Sequence, residues 1–370
     1  MITKKFKDGF NRFHTRAPAS RAAVPSVSAL VLAAALSGCG VGAEGAESAS
    51  PSELTTARDT AQLERTAASC TPLCSGSCSP VQIADVYGLD QPILPVGEHV
   101  YFSGAYNYEA SYSFFGRASK SGGSSGLIAQ NLQRPPQFLS NGTSAYAIFR
   151  SPGNSGYGYL NELRNDGSIT PVPGIDGSLF LSTTAIDSTR LYTIDGNRVW
   201  ATPLAGGAGW TQVTQPLTKG TPRSLRVDSS GVYIVADDVS ANESTVWKAT
   251  TRSLSRPVKL VTVPGSIVSL TLDDTHLYFA DRTGGLFRAL KSGGAVTQLA
   301  TTATNLSVAV DAERYYWFNG TALTATCKSG GNFQVLATVS GSQTSTPGIL
   351  SVNDEAIYWR NYSQIWKVAK

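Results

Sequence analysis

The sequence predicts an all-β chain folded as a seven-bladed β-propeller, with an N-terminal strand completing the last blade. Two observations carry that expectation. A short apolar strand built around a tyrosine recurs seven times, at Tyr101, Tyr146, Tyr192, Tyr233, Tyr278, Tyr316 and Tyr358, with intervals of 45, 46, 41, 45, 38 and 42 residues. Such spacing suits a four-stranded blade of about 40 to 50 residues. The last repeat also ends one strand short, at residues 365–369, while residues 80–84 read like the fourth strand found elsewhere (295–300). An unpaired sheet edge would otherwise remain at the seam.

In chain order, the first element is a leader. Basic residues Lys4, Lys5, Lys7, Arg12, Arg16 and Arg21 precede a short apolar run (27–36) and then Leu36-Ser37-Gly38-Cys39. The run is too short to span a bilayer, which takes about 20 apolar residues, and reads as a signal peptide over 1–38. Its end resembles the bacterial lipobox, which implies cleavage before Cys39, lipidation of that cysteine and a stable attachment to the membrane. Gly40 is compatible with outer-membrane sorting. The expected address is therefore the bacterial cell envelope, lipid-anchored at the outer membrane on its periplasmic or surface side. The leader carries five net positive charges, so the formal +4 of the whole chain becomes −1 without it. No Lys/Arg cluster is left to neutralise phosphates, which argues against nucleic acid as a partner.

Residues 39–80 are expected to form a tether rich in Ala, Ser, Thr and Glu, ending in the cluster Cys70, Cys74 and Cys78. With Cys327 these make four cysteines besides Cys39. An exported chain meets an oxidising compartment, so disulfides are expected. One is expected to join Cys327 to the 70–78 cluster, with Cys78 as the partner considered, and the other two cysteines to pair locally. The C-x₃-C-x₃-C spacing does not suit a zinc knuckle.

The propeller is expected over 81–370. Its clearest copy is 269–281, 286–294 and 296–300, and the next has strands at 306–311, 315–319, 323–327 and 333–337. Second strands are apolar on both faces (Val100-Tyr-Phe, Val232-Tyr-Ile-Val, Leu277-Tyr-Phe-Ala, Ile357-Tyr-Trp), so neighbouring blades must cover both. Third strands carry Trp200, Trp247, Phe287 and Trp366 as expected anchors between blades. The turns Lys120-Ser-Gly-Gly, Leu204-Ala-Gly-Gly, Lys291-Ser-Gly-Gly and Lys328-Ser-Gly-Gly suit tight hairpins whose glycines take positive φ. The tandem motif, apolar-Tyr-aromatic-x-Asp/Asn then Trp/Phe-Arg/Lys-Ala then Lys-Ser-Gly-Gly, resembles the broad YWTD, NHL and TolB-like group of β-propellers, bacterial propeller lipoproteins especially. That resemblance implies fold far more than function, because propellers host binding, scaffolding and catalysis alike.

Chemistry is sparse. His99 and His276 occupy a turn position that accepts Gly and Ala in other blades, which favours a structural role. Asp187, Asp228, Asp273 and Asp311 follow first strands, and Asp195, Asp237 and Asp281 follow second strands; repetition favours turn stabilisation. No spaced Asp-rich loop suggests calcium, and no metal or cofactor is expected. Gly122-Gly-Ser-Ser-Gly126 matches an esterase elbow only formally, since it falls in a hairpin. The candidate binding surface lies instead in two long connections between second and third strands. They carry Tyr106, Tyr108 and Tyr112 in the first blade, and Arg150, Tyr157 and Tyr159 in the second; a polar third connection spans 237–244. Tyrosine among Gly and Ser gives contact area at low entropy cost. The expected function is non-enzymatic binding of a protein, peptide or glycan through these loops. A propeller lyase or hydrolase acting at the central channel, or an envelope-assembly scaffold, are the alternatives.

Overall fold

Alternating apolar runs broken by Gly, Asp and Asn turns produce nothing but strands among the described residues. The computed structural model describes residues 78–370 with Cys70 and Leu73, leaving aside Asp90, 106–112, Gln133, 151–157, 176–182, Ala208, Arg252, Ser253, 302–306, Asn332, 340–349, Tyr362 and the side chain of Arg150. The strands form seven four-stranded antiparallel sheets, and six of these are meanders of consecutive strands. The seventh is completed from the other end of the chain. Val81–Asp85 pairs antiparallel with Gln364–Ala369, placing Val81 opposite Lys367 and Asp85 opposite Gln364, with a bulge between Gln82 and Ala84. The chain is a seven-bladed β-propeller whose N-terminal strand closes the last blade.

Each repeat tyrosine sits in the second strand of its blade and is buried. Period-two alternation then decides which neighbour each side chain meets. Tyr101, Tyr146, Tyr192, Tyr233, Tyr278, Tyr316 and Tyr358 all pack into a cluster shared with the following blade. The next residue along, such as Phe102, Ile234, Phe279, Trp317 or Trp359, packs into the cluster shared with the preceding blade. Trp247 and Trp366 help to fill these junctions, as their spacing led us to expect. First strands neighbour first strands around the ring and line its central channel. Fourth strands form the rim; Ser125–Leu132, for example, is largely exposed.

At the seam, Cys70 is bonded to Cys327 across 257 residues of chain, with their Cα atoms 5.9 Å apart. The bridge does run from Cys327 to the 70–78 cluster, but through Cys70 and not Cys78. Cys78 is disulfide-bonded as well, and is only 7% exposed among Phe318, Leu336 and Trp359, where it leads into the closing strand. Cys70 lies further back along the chain, where it can return to the end of Ala322–Cys327. The backbone N–H of Leu73 donates to Gln334 Oε1 (3.3 Å), holding the returning segment to the sixth blade. Cys74 and Cys39 lie outside the described residues.

Deleting Val81–Asp85 removes Ile83 and Ala84 from the cluster between the seventh and first blades and uncovers Ile365. A buried aliphatic side chain of this size is worth about 1.5–3 kcal/mol. Calorimetry of the deletion variant should show the whole domain melting at a lower temperature; an unchanged melt would contradict closure by this strand.

Candidate functional site

The meander gives the ring two unlike faces. Turns from first to second and from third to fourth strands gather on one, the turn face. Connections from second to third strands and from blade to blade gather on the other, the loop face. The two tyrosine-rich connections leave adjacent blades on the loop face. Tyr106, Tyr108, Tyr112 and Tyr157 lie outside the described residues. Arg150 ends its strand with its backbone opposite Gly158, and Tyr159 follows at 44% exposure. The third connection is no open loop. Gly231–Asp238 and Glu243–Ala249 pair to their ends, with Asp238 opposite Glu243, and the turn is held by Ser240 donating to Asp238 and by Asn242 at φ 51°. Asp237 is occupied structurally, accepting from Arg223 Nη1 (2.6 Å) and Ser244 Oγ (2.5 Å).

The mouth of the channel on the loop face holds a cavity of about 420 Å³. Its wall draws on the connection into the first blade (Gln91), the connection into the second (Arg134), and first strands of the second, third and fourth blades (Gln137, Thr184, Arg226). Only the central space of a ring can touch so many blades. Among the described residues the lining holds two arginines and no carboxylate. Arg226 is open to channel solvent yet ringed by protein, and that desolvation lowers its pKa. Its Nε donates to the Leu270 carbonyl of the fifth blade (2.9 Å), which holds the guanidinium across the channel wall. The positions matching Arg226 opposite the other repeat tyrosines are Leu94, Leu139, Ala185, Thr271, Ala309 and Ser351, so one blade alone contributes charge at this level. The Thr184 hydroxyl, in a side chain 3% exposed, lacks a hydrogen-bond partner. Behind the mouth, Arg360 donates to the carbonyls of Gln91 (2.6 Å) and Leu89 (2.9 Å) and fixes the connection that carries Gln91.

The recurrent acids after first strands act on the turn face. Oδ1 of Asp273 accepts from the backbone N–H groups of Thr275 (2.8 Å) and His276 (2.7 Å), which closes the turn as expected. Oδ2 accepts from the Tyr278 hydroxyl (2.9 Å) and is paired with Lys328 of the next blade (2.7 Å). Asp311 repeats the pattern with Tyr316 and Lys370, both at 2.6 Å. Asp228 is paired with Lys291 (2.5 Å), while Tyr233 reaches Ser230 instead. Each lysine also lies over the tyrosine ring of the blade it contacts: Lys291 at 5.7 Å from the Tyr233 centroid, Lys328 at 5.8 Å from Tyr278 and Lys370 at 5.8 Å from Tyr316. Lys120 does the same at the seam, 6.0 Å over Tyr358 and paired with Glu355 (3.2 Å). Burial alone would raise the carboxylate pKa values, but hydrogen bonds and the lysines hold Asp228, Asp273 and Asp311 below the usual range. Burial and the adjacent carboxylates push Tyr278 and Tyr316 up.

Sequence reasoning identified the acids and the turn glycines but not the lysines between them. Lys120, Lys291 and Lys328 recur in one motif, and that recurrence was the available signal. The glycines after them have positive φ, for instance Gly293 at 87° and Gly294 at 115°, as tight hairpins require. His276 shares a short hydrogen bond with Thr275 through Nδ1 (2.7 Å), whereas burial and then Arg117 lower the pKa of His99. The two histidines belong to the fifth and first blades and do not converge. Among the described residues no three His, Cys, Asp or Glu side chains come together in a metal-binding group.

No protein-family model matches the chain, and no curated protein matches it in sequence. In fold it is similar to YCF48 in a structure with a bound D1 peptide (13% identity, TM-score 0.55, covering 82% of this chain and 100% of that one). It is also similar to the computationally designed protein Ika8 (10% identity, TM-score 0.52, covering 78% and 99%). Puromycin hydrolase matches over 79% of this chain but 53% of its own, at 18% identity and TM-score 0.52. At such identities the likeness is one of fold.

The depressed carboxylates make stability depend on acid. Their contribution is present above the unfolded carboxylate pKa of about 3.9 and is lost as pH falls through the lower folded values, because the unfolded chain then binds more protons. Asp273→Asn should cost about 1–3 kcal/mol at neutral pH. It should also flatten the acid limb of stability against pH in urea titrations; an acid limb as steep as wild type would contradict the assignment.

Proposed function

We propose that this chain is a non-enzymatic propeller, held at the bacterial cell envelope through lipid on Cys39, that binds a protein, peptide or glycan partner on its loop face. The observation that carries this reading is the channel mouth on the loop face, where Arg134 and Arg226 share a cavity with no carboxylate among its described lining residues. An arginine fork matches a carboxylate in charge and planar geometry, so the group received there is a carboxylate of the partner. Tyr159 supplies flat, amphipathic contact area at the rim of the same face. The YCF48 structure with a D1 peptide makes a peptide the first probe to use. The anchor rests on the order of basic, apolar and small residues that ends at Cys39.

Binding can be followed with a fluorescent hexaglutamate peptide. Arg134→Gln with Arg226→Gln should weaken it about tenfold, equivalent to about 1.4 kcal/mol. Affinity unaffected by both changes would remove the channel mouth from the reading. The anchor is tested separately by partitioning cells between aqueous and detergent phases. The wild-type chain should enter the detergent phase and Cys39→Ala should not; identical partitioning would refute lipidation.

A further inference from the structure

The junction between the third and fourth blades departs from the lysine pattern in one particular. Asp187 and Tyr192 reproduce the arrangement of Asp273 with Tyr278 and of Asp311 with Tyr316. Asp187 Oδ1 accepts from the backbone N–H groups of Thr189 (2.7 Å) and Arg190 (2.8 Å), and Oδ2 accepts from the Tyr192 hydroxyl (2.6 Å). In the next blade, however, the residue aligned with Lys291, Lys328 and Lys370 is Thr251. The first two junctions also lack the lysine, having Asn165 and Leu204 in its place, but they lack the carboxylate too, with Val96 and Asn141 in its position. Among the described residues, Asp187 thus keeps both halves of the cradle without a lysine ammonium.

A cavity of about 580 Å³ opens there, lined by Asn141, Asp187, Arg190, Tyr192, Asp228 and Thr251 among others, with exposed Ser188, Thr189 and Ser229 at its rim. The corresponding cavity between the fifth and sixth blades, into which Lys328 projects, measures about 450 Å³. Arg190 does not replace the lysine, since its Nη1 donates to the Thr251 carbonyl (2.9 Å). In the sixth blade Arg314 occupies the same turn position and turns to Glu313 (3.0 Å) while Lys370 still reaches Asp311. Asp228 is already paired with Lys291.

We propose that this cavity is a binding site for a primary alkylammonium group, which pairs with Asp187 and lies over the face of Tyr192 as the three lysines do at their own junctions. The ammonium is that of a lysine side chain in a partner polypeptide or of a free alkylamine. The site is on the turn face, opposite the channel mouth, and does not rest on the function proposed above. Its geometry is taken from the chain itself: carboxylate, phenol and lysine ammonium meet in the same way at Asp273 with Tyr278 and Lys328 and at Asp311 with Tyr316 and Lys370, while Lys291 pairs with Asp228 over the Tyr233 ring. The combination of ion pair and cation–π contact favours an ammonium over a neutral group of the same shape.

The test uses the full chain and n-butylammonium, titrated by ligand-observed NMR, with n-butanol as the neutral control. Saturable binding of the amine and none of the alcohol is expected; equal binding of both would overturn the proposal, as would no binding of the amine. Thr251→Lys supplies the missing side chain from within. It should raise Tm by about 2–4 °C and weaken n-butylammonium binding at least about tenfold. Wild-type amine affinity in that variant would place the amine elsewhere and overturn the site. Asp187→Asn should lose binding to a similar extent, and Thr251→Lys keeps the test decisive if that variant folds poorly. A third arm compares n-butylammonium with Nα-acetyl-lysinamide: tighter binding of the latter supports a polypeptide source, and equal binding supports a free amine.

Discussion

The second strand of every blade is apolar on both faces, and no blade can cover both by itself. All seven apolar clusters straddle a junction between blades, so the core of this protein is shared out between neighbours. A row of such blades would leave two greasy ends. Closing the row removes both, which is why the strand Val81–Asp85 crosses to the seventh sheet and why a disulfide between Cys70 and Cys327 lies beside that seam. Stability is therefore expected to be a property of the ring, with each interface depending on the blades on either side.

The repeat tyrosine joins that apolar constraint to the polar turn face. Its ring fills the junction with the following blade, and its hydroxyl emerges where the turn after the first strand passes. An aspartate there serves two tasks with two oxygens: one closes the turn, the other receives the phenol and the next blade's lysine. The lysine in turn covers the ring. A buried phenol needs a partner for its hydroxyl, and an ion pair half-shielded by protein is stronger than one at the open surface.

Regularity is unevenly distributed around the ring. From the fourth blade through the seventh and back to the first, each junction has a lysine over a tyrosine. The first three junctions have Asn165, Leu204 and Thr251 instead. The same part of the ring carries the two long connections, Arg134 at the channel mouth and the cavity at Asp187. The departures from the lysine pattern therefore fall together on one side of the ring.

Period and patterning made the fold legible in the sequence. Tyrosines every forty or so residues, second strands apolar on both faces and a missing last strand are local properties of the chain, and together they specified seven blades, their strand order and the closing strand. The glycine turns and the turn-closing acids were legible for the same reason, since a turn is made within a few residues. What the tertiary structure decided lies between blades. Lysines reach the acids of the preceding blade, Arg226 projects into a channel bordered by residues of several repeats, and Cys70, not the Cys78 that leads into the closing strand, bonds to Cys327. These contacts depend on which side chains a closed ring brings face to face, and that distance in space has no counterpart in the spacing along the chain.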